Sequence, residues 1–245
     1  MSFLGKHVVI TGGAGEIGFT VAREFASQGA VITLLDKTLP ENIAASIQKI
    51  GANFVEVDVT DPQSVSSAIA LLPDIDIAVA NAGVHRGARF LDLTLDSWRL
   101  MIDVNMTGVF LFAQAAAKKM VTKGVGGNIV VTGSWVQDVP NVDNTGYCAS
   151  KAGAAMTARC MALELAEHDI RVNIVAPGIV NAGMAKRQLQ TDPVFAATAT
   201  EAIPLRRLQT AEQIAEAVIF LCSDRAISIT GTTLLVDGGL SLFKR

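Results

Sequence analysis

Short, uninterrupted apolar runs alternate along the chain with longer stretches whose apolar positions recur at helical spacing. Residues 7–11, 31–36, 53–57, 75–80, 128–132, 171–176 and 232–236 read as strands. Residues 16–28, 41–50, 62–71, 97–118 and 147–167 read as helices, with a later one from Thr210. Asp61-Pro62 supplies an N-cap and a proline at the first helical position, and Thr210-Ala211-Glu212-Gln213 has the form of a capping box. Runs such as Val8-Val9-Ile10 and Ile129-Val130-Val131 are apolar throughout rather than alternating, as strands are when helices cover both faces of a parallel sheet. The pattern predicts an α/β fold: one domain over 1–245, with a doubly wound parallel sheet of about seven strands and helices on both faces.

Composition narrows what such a fold can do. Half of the 245 residues are hydrophobic, which excludes a disordered chain. Lysine and arginine number 20 against 23 acidic residues, a formal net charge of −3, so no basic nucleic-acid surface is expected. The longest apolar runs, near 109–117 and 174–180, are too short for a membrane span, and residues 1–6 lack a signal-peptide core. Cys148, Cys160 and Cys222 form neither a disulfide framework nor a zinc pattern, which fits a reducing, cytoplasmic setting. His7, His85 and His168 are scattered, so no metal is expected.

Gly13-Ala14-Gly15-Glu16-Ile17-Gly18 is a G-x-G-x-x-G turn between the first strand and the first helix. Glycine there lets backbone approach a pyrophosphate, while the helix N-terminus offers free N–H groups and positive dipole. Placed in the first βα unit, the turn implies a Rossmann-like dinucleotide site. Asp36 ends the second strand, where a carboxylate accepts ribose hydroxyls and repels a 2′-phosphate, pointing to NAD rather than NADP. Lys37 beside it pulls the other way. Glu16 would compete for the phosphate-binding N–H groups, so its side chain is expected to turn away.

Tyr147 is the only tyrosine, and Lys151 follows it by one helical turn. That spacing places phenol and ammonium on one helix face, where the cation would draw the phenol below its ordinary pKa near 10 and make it a usable acid/base. Ser134 lies just past an apolar strand.

Taken together the chain resembles the short-chain dehydrogenase/reductase family from Lys6 to about Gly239. The resemblance rests on Thr11-Gly12…Gly18, Asp58-Val59, Asn81-Ala82-Gly83, Asn105, Ser134, Tyr147-x-x-x-Lys151, Pro177-Gly178 and Val236-Asp237-Gly238-Gly239. It implies that Tyr147 is the catalytic acid/base, that Lys151 tunes it and holds the nicotinamide ribose, and that Ser134 binds the substrate oxygen. It also implies a proton relay through water held by Asn105. On the cofactor side it implies Gly12, Gly15, Glu16, Ile17, Gly18 and Asp36 at the turn, and Asp58 and Val59 beside the adenine. Asn81, Ala82 and Gly83 would lie along the adenosine ribose, with Pro177, Gly178 and Val180 against the nicotinamide. The family pattern usually has glycine where Glu16 stands, a second asparagine where Ala80 stands and threonine where Ala182 stands; the last change removes a hydroxyl that often contacts the cofactor.

The implied activity is hydride transfer between NAD(H) and a small secondary alcohol or ketone. A 3-oxoacyl-thioester reductase and a non-catalytic dinucleotide sensor remain as alternatives. The resemblance further implies a homotetramer built on the two long helices, whose Ala115-Ala116-Ala117 and Ala152-Gly153-Ala154-Ala155 allow close contact. Residues 184–205 read as a substrate lid, residues 135–138 as pocket lining, His85 as a surface-loop histidine and Cys148 as a packing residue.

Overall fold

The computed structural model describes residues 2–242, so Met1 and residues 243–245 of the expected domain lie outside the described residues. Seven strands form one sheet: β1 (His7–Thr11), β2 (Val31–Asp36), β3 (Asn53–Glu56), β4 (Ile77–Ala80), β5 (Gly127–Thr132), β6 (Ile170–Pro177) and β7 (Thr233–Val236). Every neighbouring pair is parallel and the order is β3-β2-β1-β4-β5-β6-β7. The chain winds outward from β1 to β3, then crosses back to β4 and winds the other way. A crevice opens at such a reversal, beyond the carboxyl ends of the central strands.

Helices cover both faces. On one side α1 (Glu16–Ser27), α2 (Glu41–Lys49) and α9 (Ala211–Cys222) bury Phe25, Ile47 and Val218 against Val8 and Ile10 of β1. On the other, α3 (Pro62–Leu71), α5 (Gly108–Lys123) and α6 (Thr145–Leu165) bury Ile69, Phe112 and Ala158 against Val9. Consecutive β1 residues therefore feed opposite cores, which is why that run is apolar without alternation.

The helix expected over 97–118 is longer and broken. It comprises α4 (Leu95–Ile102), a π-helical turn at Asp103–Thr107, and α5. Thr94 caps α4 by accepting the Ser97 N–H. The π turn carries Asn105, whose fully buried amide bonds Val84 on the neighbouring loop, a tertiary demand of the kind that accompanies such turns. The whole stretch Leu95–Lys123 is long and apolar enough to cross a bilayer by length and composition, but Met101, Val109, Phe112, Ala116 and Met120 point into the protein core. α6 begins at Thr145 rather than Tyr147 and ends in a 3-10 turn at Ala166–His168.

Residues 184–205, read from sequence as a substrate lid, hold two short helices, α7 (Gly183–Thr191) and α8 (Pro193–Ala202). Asp192 caps α8 through the Val194 and Phe195 N–H groups. This segment has a small hydrophobic cluster of its own, Ile179, Ala199 and Ile203 with Leu189 and Phe195 against it, separate from the two large ones.

Candidate active site

The crevice floor is made by the turn after β1. Gly12 has φ +62°, and a Cβ on it would come within 2.8 Å of the Ala82 Cα. A Cβ on Gly18 would come within 2.3 Å of the Gly12 carbonyl oxygen and 2.8 Å of Asn81 Nδ2. Both positions therefore bring backbone against backbone and admit no side chain. Asn81 ties the turn to the sheet: its Nδ2 donates to the Thr11 and Gly12 carbonyls, and its Oδ1 accepts from Thr132 Oγ1. Thr11 Oγ1 accepts the Asn81 and Ala82 N–H groups. The Asn81 side chain thus braces the turn from behind, and backbone of 81–83 faces the crevice edge.

Behind Gly15, which has ordinary φ −77°, α1 begins with no side chain capping it. The carboxylate of Glu16 turns aside: it accepts the Gly183 N–H and, at 2.6 Å, the Lys186 ammonium. Lys186 first, then the Gly183 hydrogen bond, hold that carboxyl below the usual range. The start of α1, including Ile17, is left with uncapped donors and positive dipole at a glycine cradle, a fit for a pyrophosphate.

Asp36 lies at the end of β2 and accepts the Ala14 N–H at 3.0 Å and the Lys37 N–H at 2.8 Å, so its carboxylate is tied to the glycine turn. Lys37 reaches across to Asp58 at 2.6 Å. Lys37, then the hydroxyl and N–H of Thr60, lower the Asp58 carboxyl to about 2. Val59 is buried, and its side chain would meet a Cβ on Gly108 at 2.9 Å.

At the other end of the crevice stand Ser134, Tyr147 and Lys151. Ser134 follows β5 and is the N-cap of a 3-10 turn at Trp135–Gln137, closed by a reciprocal bond with Gln137. Its hydroxyl hydrogen-bonds the Tyr147 phenol. Lys151 is buried, with its ammonium 5.8 Å from the Tyr147 ring centre and donating to the Thr132 carbonyl at 2.7 Å. The sequence placed tyrosine and lysine together correctly but misjudged the phenol. Burial pushes it up to about 12, outweighing the Ser134 hydrogen bond that lowers it. Burial likewise brings Lys151 down to about 8. Both groups are desolvated, and each is held toward its neutral form.

Asn105 lies beneath Lys151. Its Nδ2 donates to the Val84 carbonyl and to Ser150 Oγ, and its Oδ1 accepts the Val84 N–H. Both amide hydrogens are thereby spent on the protein itself. Asn105 pins the loop after β4, and that loop carries a residue the sequence reading underrated. His85 is half-buried, with its ring edge-on to Tyr147 (centroids 5.2 Å, planes at 83°) and its Nε2 on Asn144 Oδ1. Asn144 Nδ2 donates to Val142 O, which fixes Oδ1 as the acceptor; His85 Nε2 therefore carries a proton. Its partners lie far along the chain, so spacing gave no sign of them.

Gly178 follows β6, donates to the Val236 carbonyl, and leaves no room for a Cβ beside Asp237. Val180 is buried and pairs with Gln209. Trp135, Val136 and Gln137 form the turn after Ser134, and a groove of about 230 Å³ runs between Gln137–Pro140 and Cys148, so Cys148 borders open space as well as packing. Among the described residues, no group of three or more His, Cys, Asp and Glu is placed to hold a metal ion.

A glycine cradle at the sheet's reversal and a Ser–Tyr–Lys group across the crevice form one constellation. A family model described as enoyl-(acyl carrier protein) reductase matches residues 12–241. The chain belongs to the short-chain dehydrogenase/reductase family. It is accordingly an oxidoreductase that works between a hydroxyl and a carbonyl with a nicotinamide dinucleotide. It is 36% identical over 247 residues to the 3-oxoacyl-acyl-carrier-protein reductase FabG of Salmonella typhimurium, covering 98% of this chain and 99% of that protein. It is 32% identical to the 2,5-dichloro-2,5-cyclohexadiene-1,4-diol dehydrogenase LinX of Sphingobium indicum, covering 97% of each. Among solved structures it resembles a gluconate 5-dehydrogenase from Burkholderia cenocepacia in complex with NADP and tartrate, with a TM-score of 0.92, 31% identity, and 99% and 98% of the two chains covered.

Proposed function

We propose that this member uses NAD(H) to interconvert a small secondary alcohol and its ketone, with Tyr147 as the proton-transferring group. The observation that carries the reading is the grouping of Ser134, Tyr147 and Lys151 in a crevice whose other end is the glycine cradle. Gly12, Gly15, Ile17 and Gly18 would hold the pyrophosphate, Asp36 the adenosine ribose, and Asp58 and Val59 would flank the adenine. Backbone of Asn81, Ala82 and Gly83 would line the ribose side, and Pro177, Gly178 and Val180 the nicotinamide side. When bound, the dinucleotide supplies or accepts the hydride. The chain's own residues handle the proton: Ser134 holds the substrate oxygen, and Tyr147, protonated at neutral pH, donates to it as a ketone is reduced. In the oxidative direction the phenolate is the base, and a neighbouring Lys151 cation favours it. A panel of secondary alcohols with NAD, read by nicotinamide absorbance, tests the reading; no turnover of any would sink it.

The NAD preference rests on Asp36, and on Lys37 being engaged by Asp58 instead of free to attract a 2′-phosphate. Asp36→Ser is expected to raise the NADP-to-NAD ratio of kcat/KM roughly a hundredfold, the scale of relieving a close like-charge contact. Equal kcat/KM for the two cofactors in the unaltered protein would overturn the preference.

A second reading, reduction of a 3-oxoacyl thioester, is favoured by the full-length similarity to FabG and opposed by Asp36. Turnover of an acetoacetyl thioester with NADPH in the same panel would establish it over the first.

We also propose a homotetramer in the cytoplasm. Ala116, Ala117, Ala154 and Ala155, read from sequence as contact residues, are buried within the subunit. The outer surface of α5 and α6 instead exposes Phe110, Met156 and Leu163, an apolar face that association would cover. Light scattering should give four times the chain mass, and a monomer would refute the assembly. The three free thiols fit a reducing compartment.

A further inference from the structure

Two helix N-termini share one carboxylate at the rim of the crevice. α1 starts after Gly15 and α7 after Ala182, and neither of those N-cap residues caps its own helix through a side chain. Glu16, the first residue of α1, spans the gap: one oxygen accepts the N–H of Gly183, the first residue of α7, and the other takes Lys186 one turn later. The partners are 167 and 170 residues apart in sequence. Gly183 enters the helix with φ +54°, a left-handed bend that presents its N–H to Glu16. The segment that follows packs chiefly on its own small cluster rather than into either main core. A few polar bonds at its leading edge therefore have leverage over its position.

We propose that Glu16 is a positioning residue that clasps the α7–α8 segment to the glycine turn, holding it shut over the crevice. It also solves an electrostatic problem. A free carboxylate at the start of α1 would sit on the positive helix end that a pyrophosphate needs. Engaged with α7, it is drawn away, so closing the segment and clearing the anion site are the same event. Segment closure and dinucleotide binding then favour one another.

The consequence for binding rests on the dinucleotide reading above, but closure can be measured without catalysis. Arg187, in α7, is a tryptic site retained in every variant needed. Cleavage after Arg187 would be followed in the unaltered chain, Glu16→Gln, Lys186→Met and the double variant. When opening is fast, cleavage reports the population of the open form. Each single variant should cleave about fivefold faster, the scale of a capping bond plus an exposed ion pair, and the double variant no faster than the singles. Glu16→Gln should also raise KM for the dinucleotide more than it lowers kcat. Unchanged cleavage, or strictly multiplicative effects in the double variant, overturns the clasp. Should a variant melt at lower temperature, hydrogen exchange confined to α7 amides supports the clasp, and exchange raised equally in β4 overturns it. If cleavage behaves as expected but neither NAD nor NADP binds, the functional reading falls and the clasp stands.

Discussion

Tyr147→Phe is expected to lower kcat/KM for ketone reduction by about a thousandfold, within the range a positioned general acid supplies, while dinucleotide binding is kept. Removing one oxygen leaves the ring against His85 and the helix turn that carries it, so the loss would be chemical rather than structural. Dinucleotide binding by fluorescence and turnover by absorbance separate the two, and retained turnover would remove the mechanism. The same variant is a spectroscopic blank, because the molecule has a single tyrosine. Subtracting it should show phenolate forming only as pH approaches about 12 in the free protein. The sign follows from burial: a raised pKa keeps the proton-donating form fully present at neutral pH and loses it only through about 12. Ketone reduction therefore has its acid in hand across the physiological range, whereas alcohol oxidation should quicken as pH rises. A midpoint at or below 10 would mean that Lys151 outweighs desolvation.

Gly18→Ala should be the most damaging small change in the crevice. The added methyl would lie 2.3 Å from the Gly12 carbonyl and 2.8 Å from Asn81 Nδ2. The first of these is backbone, and Asn81 is held by three further bonds, so α1 itself must move. A cost of about 2–3 kcal/mol follows from overpacking of this kind, a fall in Tm of roughly 5–10 °C, with dinucleotide binding weakened at the same time. Gly15→Ala is the contrast, since its Cβ would meet only the Gly12 oxygen at 3.3 Å. Thermal melts and dinucleotide titration of both variants check the order, and equal damage would show that steric approach at Gly18 is not the constraint.

The sheet was legible because burial on both faces leaves Val8–Ile10 of β1, Ile77–Ala80 of β4 and Ile129–Val131 of β5 apolar without alternation, each run too short for a helix. The turn from Gly12 to Gly18 and the Tyr147–Lys151 pair were legible for a related reason: each lies within one local stretch of chain. What sequence did not disclose depends on distant partners. The π turn at Asp103–Thr107 interrupts a continuous helical pattern because Asn105 must reach Val84. α7 is mostly polar and shows no long apolar period, whereas the Asp192-Pro193 start of α8 repeats the Asp61-Pro62 pattern and could have marked that helix. His85 became part of the site through Asn144 and Tyr147, and no spacing rule links them. The phenol was misjudged because a lysine one turn away can be read from a sequence, while the depth at which both groups are buried cannot.

The separate cluster under α7 and α8 has an evolutionary consequence. Ile179, Ala199 and Ile203, with Ala185, Leu189 and Phe195 against them, form a cluster apart from the two large ones, so apolar substitutions inside it leave the packing of the sheet alone while Gly183 and Lys186 stay tied to Glu16. On the proposed reading of 183–205 as the segment over the substrate, its apolar interior can change while β1 and Tyr147 stay untouched, provided the bonds of Gly183 and Lys186 to Glu16 are kept.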